Sequence, residues 1–142
     1  MKLNPYINFN GNCQEAFTFY KSVFGGEFGF VQKFKDVKDQ QAKQMFKPEE
    51  GEKIMHISLP IGKETVLMGS DTPDAMGQAQ FGNHITISVH SDSREEADKL
   101  FAGLSAGGQA TMPMADAFWG DYFGMCKDKF GVHWMVNYHE EK

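Results

Sequence analysis

Five histidines are the side chains of this 142-residue chain whose ordinary pKa lies near neutral. Four of them stand in runs where apolar and polar residues alternate, His90 at the very end of its run. From Ile54 to Ile61, Met55, Ile57 and Leu59 alternate with His56 and Ser58. From Asn83 to His90, Ile85, Ile87 and Val89 alternate with His84, Thr86, Ser88 and His90. From Val132 to Tyr138, Trp134, Val136 and Tyr138 alternate with His133, Met135 and Asn137. Strand periodicity of two puts each imidazole on the face opposite the buried one, where it can line a cavity. There His84 or His133 would serve as a base near neutral pH, with Tyr6 as an oriented donor. His90 and His139 fall at strand ends and are expected in solvent. Cys13 follows a helix cap, where the helix dipole can lower a thiol pKa. Cys13 and Cys126 match no metal spacing and read as free thiols. Asp71 and Asp128 stand in connections and read as turn formers.

The elements that must position these groups follow from periodicity and turn chemistry. Leu3 to Phe9 alternates Leu3, Pro5, Ile7 and Phe9 with Asn4, Tyr6 and Asn8, as a half-buried strand does. Asn12 with Glu15 resembles a capping box. Ala16, Phe19, Tyr20, Val23 and Phe24 follow at helical spacing, and Gly25-Gly26 stops the helix. Glu27 to Phe34 reads as a strand, and polar Lys35 to Lys53 as a loop or short helix. Ile54 to Ile61 and Thr65 to Gly69 form a hairpin about Gly62-Lys63-Glu64.

Ser93 with Glu96 makes a second capping box, ahead of Ala97, Leu100, Phe101 and Leu104 on one helical face. Gly107-Gly108 ends that helix and Gln109 to Met114 is a strand. Phe118-Trp119-Gly120 then leads into strands at Tyr122 to Cys126 and Val132 to Tyr138, joined through Asp128-Lys129-Phe130-Gly131 with Gly131 free to take positive φ.

Strand, helix and three strands therefore occur twice at an offset of about 80 residues. The fold class is α+β: two tandem βαβββ modules, about 1–70 and 83–142, joined by a linker at 71–82 within one domain. With a helix on one face of each sheet, the opposite faces remain to form a curved mixed sheet around a cavity. The row expected there is Asn4, Tyr6, Asn8, His56, Ser58, His84, Thr86, Ser88, His133, Met135 and Asn137. Trp119 and Phe118 stand ready at the mouth to stack on a flat ligand.

Composition narrows the partners. A formal charge of −5 argues against nucleic acid, which wants a basic footprint. No stretch approaches the ~20 apolar residues of a membrane span, and the N-terminus lacks a basic-then-apolar signal, so the cytoplasm is expected. Thirteen Phe and nine Met supply pliable apolar surface suited to a small-molecule site.

The blocks NPYINFNG, EAFTFYKSVFGGEF, MHISLPIG, VLMGSDTP, GNHITISV, FWGDYFGM and DKFGVHWMV are similar to PhnB-like proteins. These belong to the vicinal oxygen chelate superfamily of glyoxalase I, bleomycin-resistance proteins and extradiol dioxygenases. The resemblance runs from Leu3 to Tyr138. It implies a glyoxalase/bleomycin-resistance-like fold and a homodimer, and it names no single reaction. Some such proteins carry a 3-demethylubiquinone methyltransferase label, yet no glycine-rich strand-to-helix turn of a conventional methyltransferase is visible.

Metal-dependent superfamily members place His, Glu, His and Glu on the first and last strands of the two modules. Carried over, those positions are Asn4, Met68, His84 and Met135. Two neutral thioethers in place of carboxylates favour Cu(I) over Ni²⁺, Zn²⁺, Fe²⁺ or Mn²⁺. The expectation is a small-molecule-binding protein without metal or other cofactor. The alternative is a lyase, isomerase or dioxygenase of glyoxalase type using a divalent metal or its histidines.

Overall fold

A computed structural model describes residues 1–140. Its strands are β1 (Tyr6–Phe9), β2 (Phe30–Lys33), β3 (Ile54–Ile61), β4 (Thr65–Asp71), β5 (Ile87–His90), β6 (Gln109–Asp116), β7 (Asp121–Lys127) and β8 (His133–His139). The helices are α1 (Cys13–Phe24), the single turn α2 (Gln40–Lys43) and α3 (Arg94–Ser105). Short 3₁₀ turns at Phe34–Asp36 and Pro48–Glu50 fill the polar stretch ahead of β3. Two compact units result, one ending at Gln80 and one starting at Phe81.

In the first unit the sheet order is β1-β4-β3-β2, with β1 and β4 parallel and the other neighbours antiparallel. One face carries Ile7, Phe9, Ile57, Leu59, Leu67 and Gly69, and α1 covers it with Ala16, Phe17 and Tyr20. Gly69 is required by that contact: a Cβ there would stand 2.6 Å from Phe17 Cε1 and 2.8 Å from the Ile7 carbonyl oxygen. Phe17 packs edge-on against both Phe9 and Tyr20, an arrangement that suits ring quadrupoles.

The second unit repeats the order as β5-β8-β7-β6, again with one parallel pair, β5 and β8. Here α3 covers the face of Val89, Trp134, Val136 and Gly124. A Cβ on Gly124 would stand 3.0 Å from Phe101 of α3 and 2.6 Å from Met114 Sδ. The Ser93 side chain accepts from Glu96 N–H at 3.0 Å, as the capping pattern predicts, while the Glu96 carboxylate accepts from Asp92 N–H at 3.1 Å. Gly131 takes φ +94° in the β7–β8 turn, the conformation its position demands.

The expected elements are present in order, with five corrections, of which the first is that β2 covers only Phe30–Lys33 of the expected Glu27 to Phe34. β1 starts at Tyr6, and Leu3 is 95% exposed: the ladder to β4 pairs Tyr6 to Phe9, and upstream of it Pro5 accepts one hydrogen bond from Met68 N–H at 3.1 Å. β5 starts at Ile87, three residues past His84, where its pairing with β8 begins opposite Trp134. β4 runs on through Asp71, inside the expected linker. Asn12 makes no side-chain cap on α1, where a distant carboxylate takes that place.

Candidate functional site

That carboxylate is Asp71, 2% exposed at the end of β4. Its Oδ1 accepts from Gly11 N–H at 2.8 Å and Cys13 N–H at 3.0 Å, and its Oδ2 accepts from Ile54 N–H at 2.9 Å. One buried anion thus ties the start of α1 and the start of β3 to β4, a larger role than forming a turn. In the second unit Asp128 Oδ1 accepts from Phe130 and Val132 N–H, and its Oδ2 from Trp134 Nε1–H at 2.8 Å. Asp71 holds backbone alone and Asp128 holds backbone and a core indole, so both are structural. Cys13 is not activated by its helix: burial, and next the Asp71 charge, push its thiol pKa far up. Burial and Asp128 raise Cys126 to about 11.

The faces not covered by helices carry the chemistry. In the first unit, pairing aligns Tyr6, Met68, Ser58 and Phe30 across all four strands. Asn8 lies opposite Ser70, and His56 opposite Gln32, on the same face. Tyr6 Oη lies 3.2 Å from His56 Nδ1. The His56 ring has Tyr6 at 5.6 Å and Phe30 at 5.7 Å between centroids, each tilted. Strand parity therefore predicts this face correctly for Tyr6, Asn8, His56 and Ser58.

In the second unit, Ser88, Met135, Met125 and Met112 form one row across β5, β8, β7 and β6. His90, Asn137, Phe123 and Ala115 form the next. Beyond them Asp121 opposes His139, and the two side chains meet at 2.5 Å between Oδ1 and Nδ1. The hydrogen bond from His139 holds the Asp121 carboxyl below the usual carboxylate range. Asn137 Nδ2 also lies 3.5 Å from His90 Nδ1, and His90 Nε2 lies 3.3 Å from Ser88 Oγ. Two polar groupings thus lie beside an apolar row of three methionines, Asp121 with His139 between β7 and β8 and Asn137 with His90 and Ser88 between β8 and β5. Trp119, at the tip of the β6–β7 turn, stands edge-on to Phe123 at 5.6 Å and to the almost fully exposed Phe118 at 4.9 Å.

Of the expected residues, Met135, Asn137, His133 and Ser88 share this open face, and Trp119 borders it. Asn4, His84 and Thr86 precede their strands. Asn4 Oδ1 already accepts from Val66 N–H at 3.2 Å. His90 and His139 are not merely solvated strand ends, because the sheet register gives each a polar partner. Asp121, Phe123, Met112 and Met125 belong to the same face and escape single-strand parity. The signal that reaches Asp121 is the turn at Asp128–Gly131: counting outward from it along both strands brings Asp121 opposite His139. Among the described residues, no three His, Cys, Asp or Glu side chains group as a metal site would.

Two modules of identical strand order, each a mixed sheet with one covering helix, define the glyoxalase/bleomycin resistance/dioxygenase class of fold. A family model described as 3-demethylubiquinone-9 3-methyltransferase matches residues 1–137, and the chain belongs to that family. Protein YjdN of Escherichia coli K12 is 32% identical over 96% of this chain and 95% of its own. The crystal structure of protein PA1353 from Pseudomonas aeruginosa is 36% identical, covers 99% of both chains and superposes with a TM-score of 0.85.

A Bacillus cereus structure described as a putative 3-demethylubiquinone-9 3-methyltransferase, PhnB protein, shares the fold at TM-score 0.75 and 24% identity, over 97% of this chain and 99% of its own. So does a glyoxalase/bleomycin resistance protein/dioxygenase family enzyme from Burkholderia phytofirmans, at 0.61 and 16%, over 95% and 97%. The methyltransferase wording is the family's name. Among the described residues, neither mixed sheet has the parallel, doubly wound form whose glycine-rich turn holds a nucleotide-type cofactor.

Proposed function

We propose that this PhnB-like protein binds a small organic molecule on a helix-free sheet face, without a metal or other cofactor. The observation that carries the reading is the open face of the second sheet, where Met112, Met125 and Met135 lie in one row beside Phe123 and two hydrogen-bonded polar groupings. Thioethers and aromatic edges give adaptable contact to apolar or π-surfaces, and a few fixed polar groups orient the guest. The candidate contacts are Tyr6, Asn8, His56 and Ser58 in the first unit, and Ser88, Trp119, His133, Met135 and Asn137 in the second. Asn4, His84 and Thr86 join them at the strand entries.

A divalent metal fits this chain poorly. The superfamily ligand positions Met68 and Met135 offer neutral sulfur, and Asn4 Oδ1 is already engaged. A second reading, a histidine-dependent lyase or isomerase, is favoured by one observation: His139 is paired to a carboxylate, as general bases often are.

No helix among the described residues is long and apolar enough to cross a membrane. A cytoplasmic setting is in keeping with the two buried thiols. A second copy is the expected macromolecular partner.

The test is a small-molecule screen on methionine-methyl-labelled protein in the presence of a chelator. Ligands that shift the Met112, Met125 and Met135 methyls are the expected result. Binding that appears only when a divalent metal is restored would overturn the reading.

A further inference from the structure

β1 ends at Phe9, whose carbonyl oxygen accepts from Thr72 N–H at 2.8 Å just past the end of β4. One residue further on, a side chain continues the pairing. Asn10 Nδ2 donates to the Ala79 carbonyl oxygen at 3.0 Å, and Ala79 N–H donates to Asn10 Oδ1 at 2.8 Å. The Thr72 hydroxyl also donates to Oδ1, at 3.3 Å. A side-chain amide thus takes the place of a strand backbone and ties residues 72–79 to the end of β1. Midway along them, Asp74 N–H donates to the Glu50 carboxylate at 2.9 Å as a second tie. Asn10 is followed by Gly11, the one Asn-Gly step of the sequence. Such a step is chemically labile, because glycine has no Cβ to shield its nitrogen from the asparagine side-chain carbon.

We propose that Asn10 is a deamidation site gated by its contact with Ala79, and that its conversion to a carboxylate releases residues 72–79 from the end of β1. In the reaction the Gly11 nitrogen loses its proton to solvent base and bonds to Asn10 Cγ, and the Cγ–Nδ2 bond breaks to release ammonia. Water then opens the cyclic imide at either carbonyl carbon, giving aspartate or isoaspartate. No oxidant or reductant takes part. The fold restrains both reacting atoms. Gly11 N–H donates to Asp71 Oδ1 at 2.8 Å, and an amide anion beside a buried carboxylate is disfavoured by like charge. Attack makes Asn10 Cγ tetrahedral, which the two in-plane bonds to Ala79 oppose. Release is self-sustaining. An ionised carboxyl only accepts, so two oxygens face each other where Asn10 Nδ2 met the Ala79 carbonyl. Ala79 stands two residues before Phe81, the first residue of the second unit, so the tie acts on the connection between units.

The test follows amide-to-acid conversion by mass spectrometry of the whole protein at mildly alkaline pH. Fragment ions of tryptic peptide 3–21 separate Asn10 from Asn4, Asn8 and Asn12. Protein unfolded in guanidinium chloride supplies the ungated rate, and the folded wild type is expected to convert more slowly. Ala79→Pro removes the N–H held by Oδ1 and should speed conversion of the folded protein about three- to tenfold, the range of one net hydrogen bond. Thr72→Val removes the third contact and should act in the same direction, which keeps the gate testable if the proline variant melts early. Asn10→Asp reproduces the product. Amide exchange at Ala79 should then rise about tenfold while exchange in β3 and β4 stays as in the wild type, a pattern that general loss of structure would not give. Equal conversion rates in folded and unfolded protein, or wild-type rates in both gate variants, overturn the gate. Unchanged exchange at Ala79 in Asn10→Asp overturns the release.

Discussion

Asp71 and Asp128 each accept three hydrogen bonds, Asp121 pairs with His139, and what they hold separates scaffold from site. Asp71 holds backbone N–H groups of Gly11, Cys13 and Ile54 deep in the first unit. Replacing it by Ala strands three donors, each costing about 1–3 kcal/mol when buried and unpaired. Asp71→Ala is therefore expected to lower stability by at least about 3 kcal/mol in denaturant melts, and a loss under 1 kcal/mol would contradict the role. Asp121, by contrast, pairs with His139 on an open face, so its replacement should change recognition more than stability. Glu50 supplies a pH dependence. Backbone N–H groups of Lys47 first and Asp74 next, both at 2.9 Å, hold its carboxyl below the usual range. A depressed folded-state pKa contributes stability above the unfolded pKa and loses it as pH falls through the folded value. The stability gap between wild type and Glu50→Gln should be constant at neutral pH and close as pH falls below the ordinary glutamate range and through the depressed folded-state value. A gap that widens on acidification would refute it.

At the scale of elements, both sheets depend on a glycine beneath an aromatic ring of the covering helix. Gly69 lies under Phe17 and Gly124 lies against Phe101. Gly69→Ala and Gly124→Ala should each cost about 1–3 kcal/mol, the usual penalty for overpacking, although both lie in strands where alanine is otherwise tolerated. Thermal melts would show it. The face assignments of β3 and β8 are legible in the sequence because alternation is a local property, and so are the α3 cap and the Gly131 turn. The α1 cap is not, since Asn12 is locally adequate and the group that supplants it lies 58 residues from Cys13. Strand entry is equally hidden. Asn4 and His84 continue the alternation, yet β1 and β5 start where the ladder to a parallel neighbour begins. Asp121 with His139 is an intermediate case, accessible by counting outward from a recognised turn.

For the whole molecule, the family resemblance and the repeated module agree with the strand order of both units and with the family match over residues 1–137. The reaction named by that family is a separate matter, and the side chains of this chain point to ligand capture by methionine, aromatic rings and oriented neutral donors. The central claim is that this capture needs no metal. The most direct measurement is calorimetric titration of the metal-stripped, untagged protein with Ni²⁺, Zn²⁺, Mn²⁺ and Fe²⁺, with elemental analysis of the protein as purified. The account predicts no stoichiometric metal and dissociation constants weaker than about 1 mM, less than about 4 kcal/mol of binding free energy. One metal per chain held with a dissociation constant of about 1 μM or tighter, and lost on His84→Ala, would contradict it.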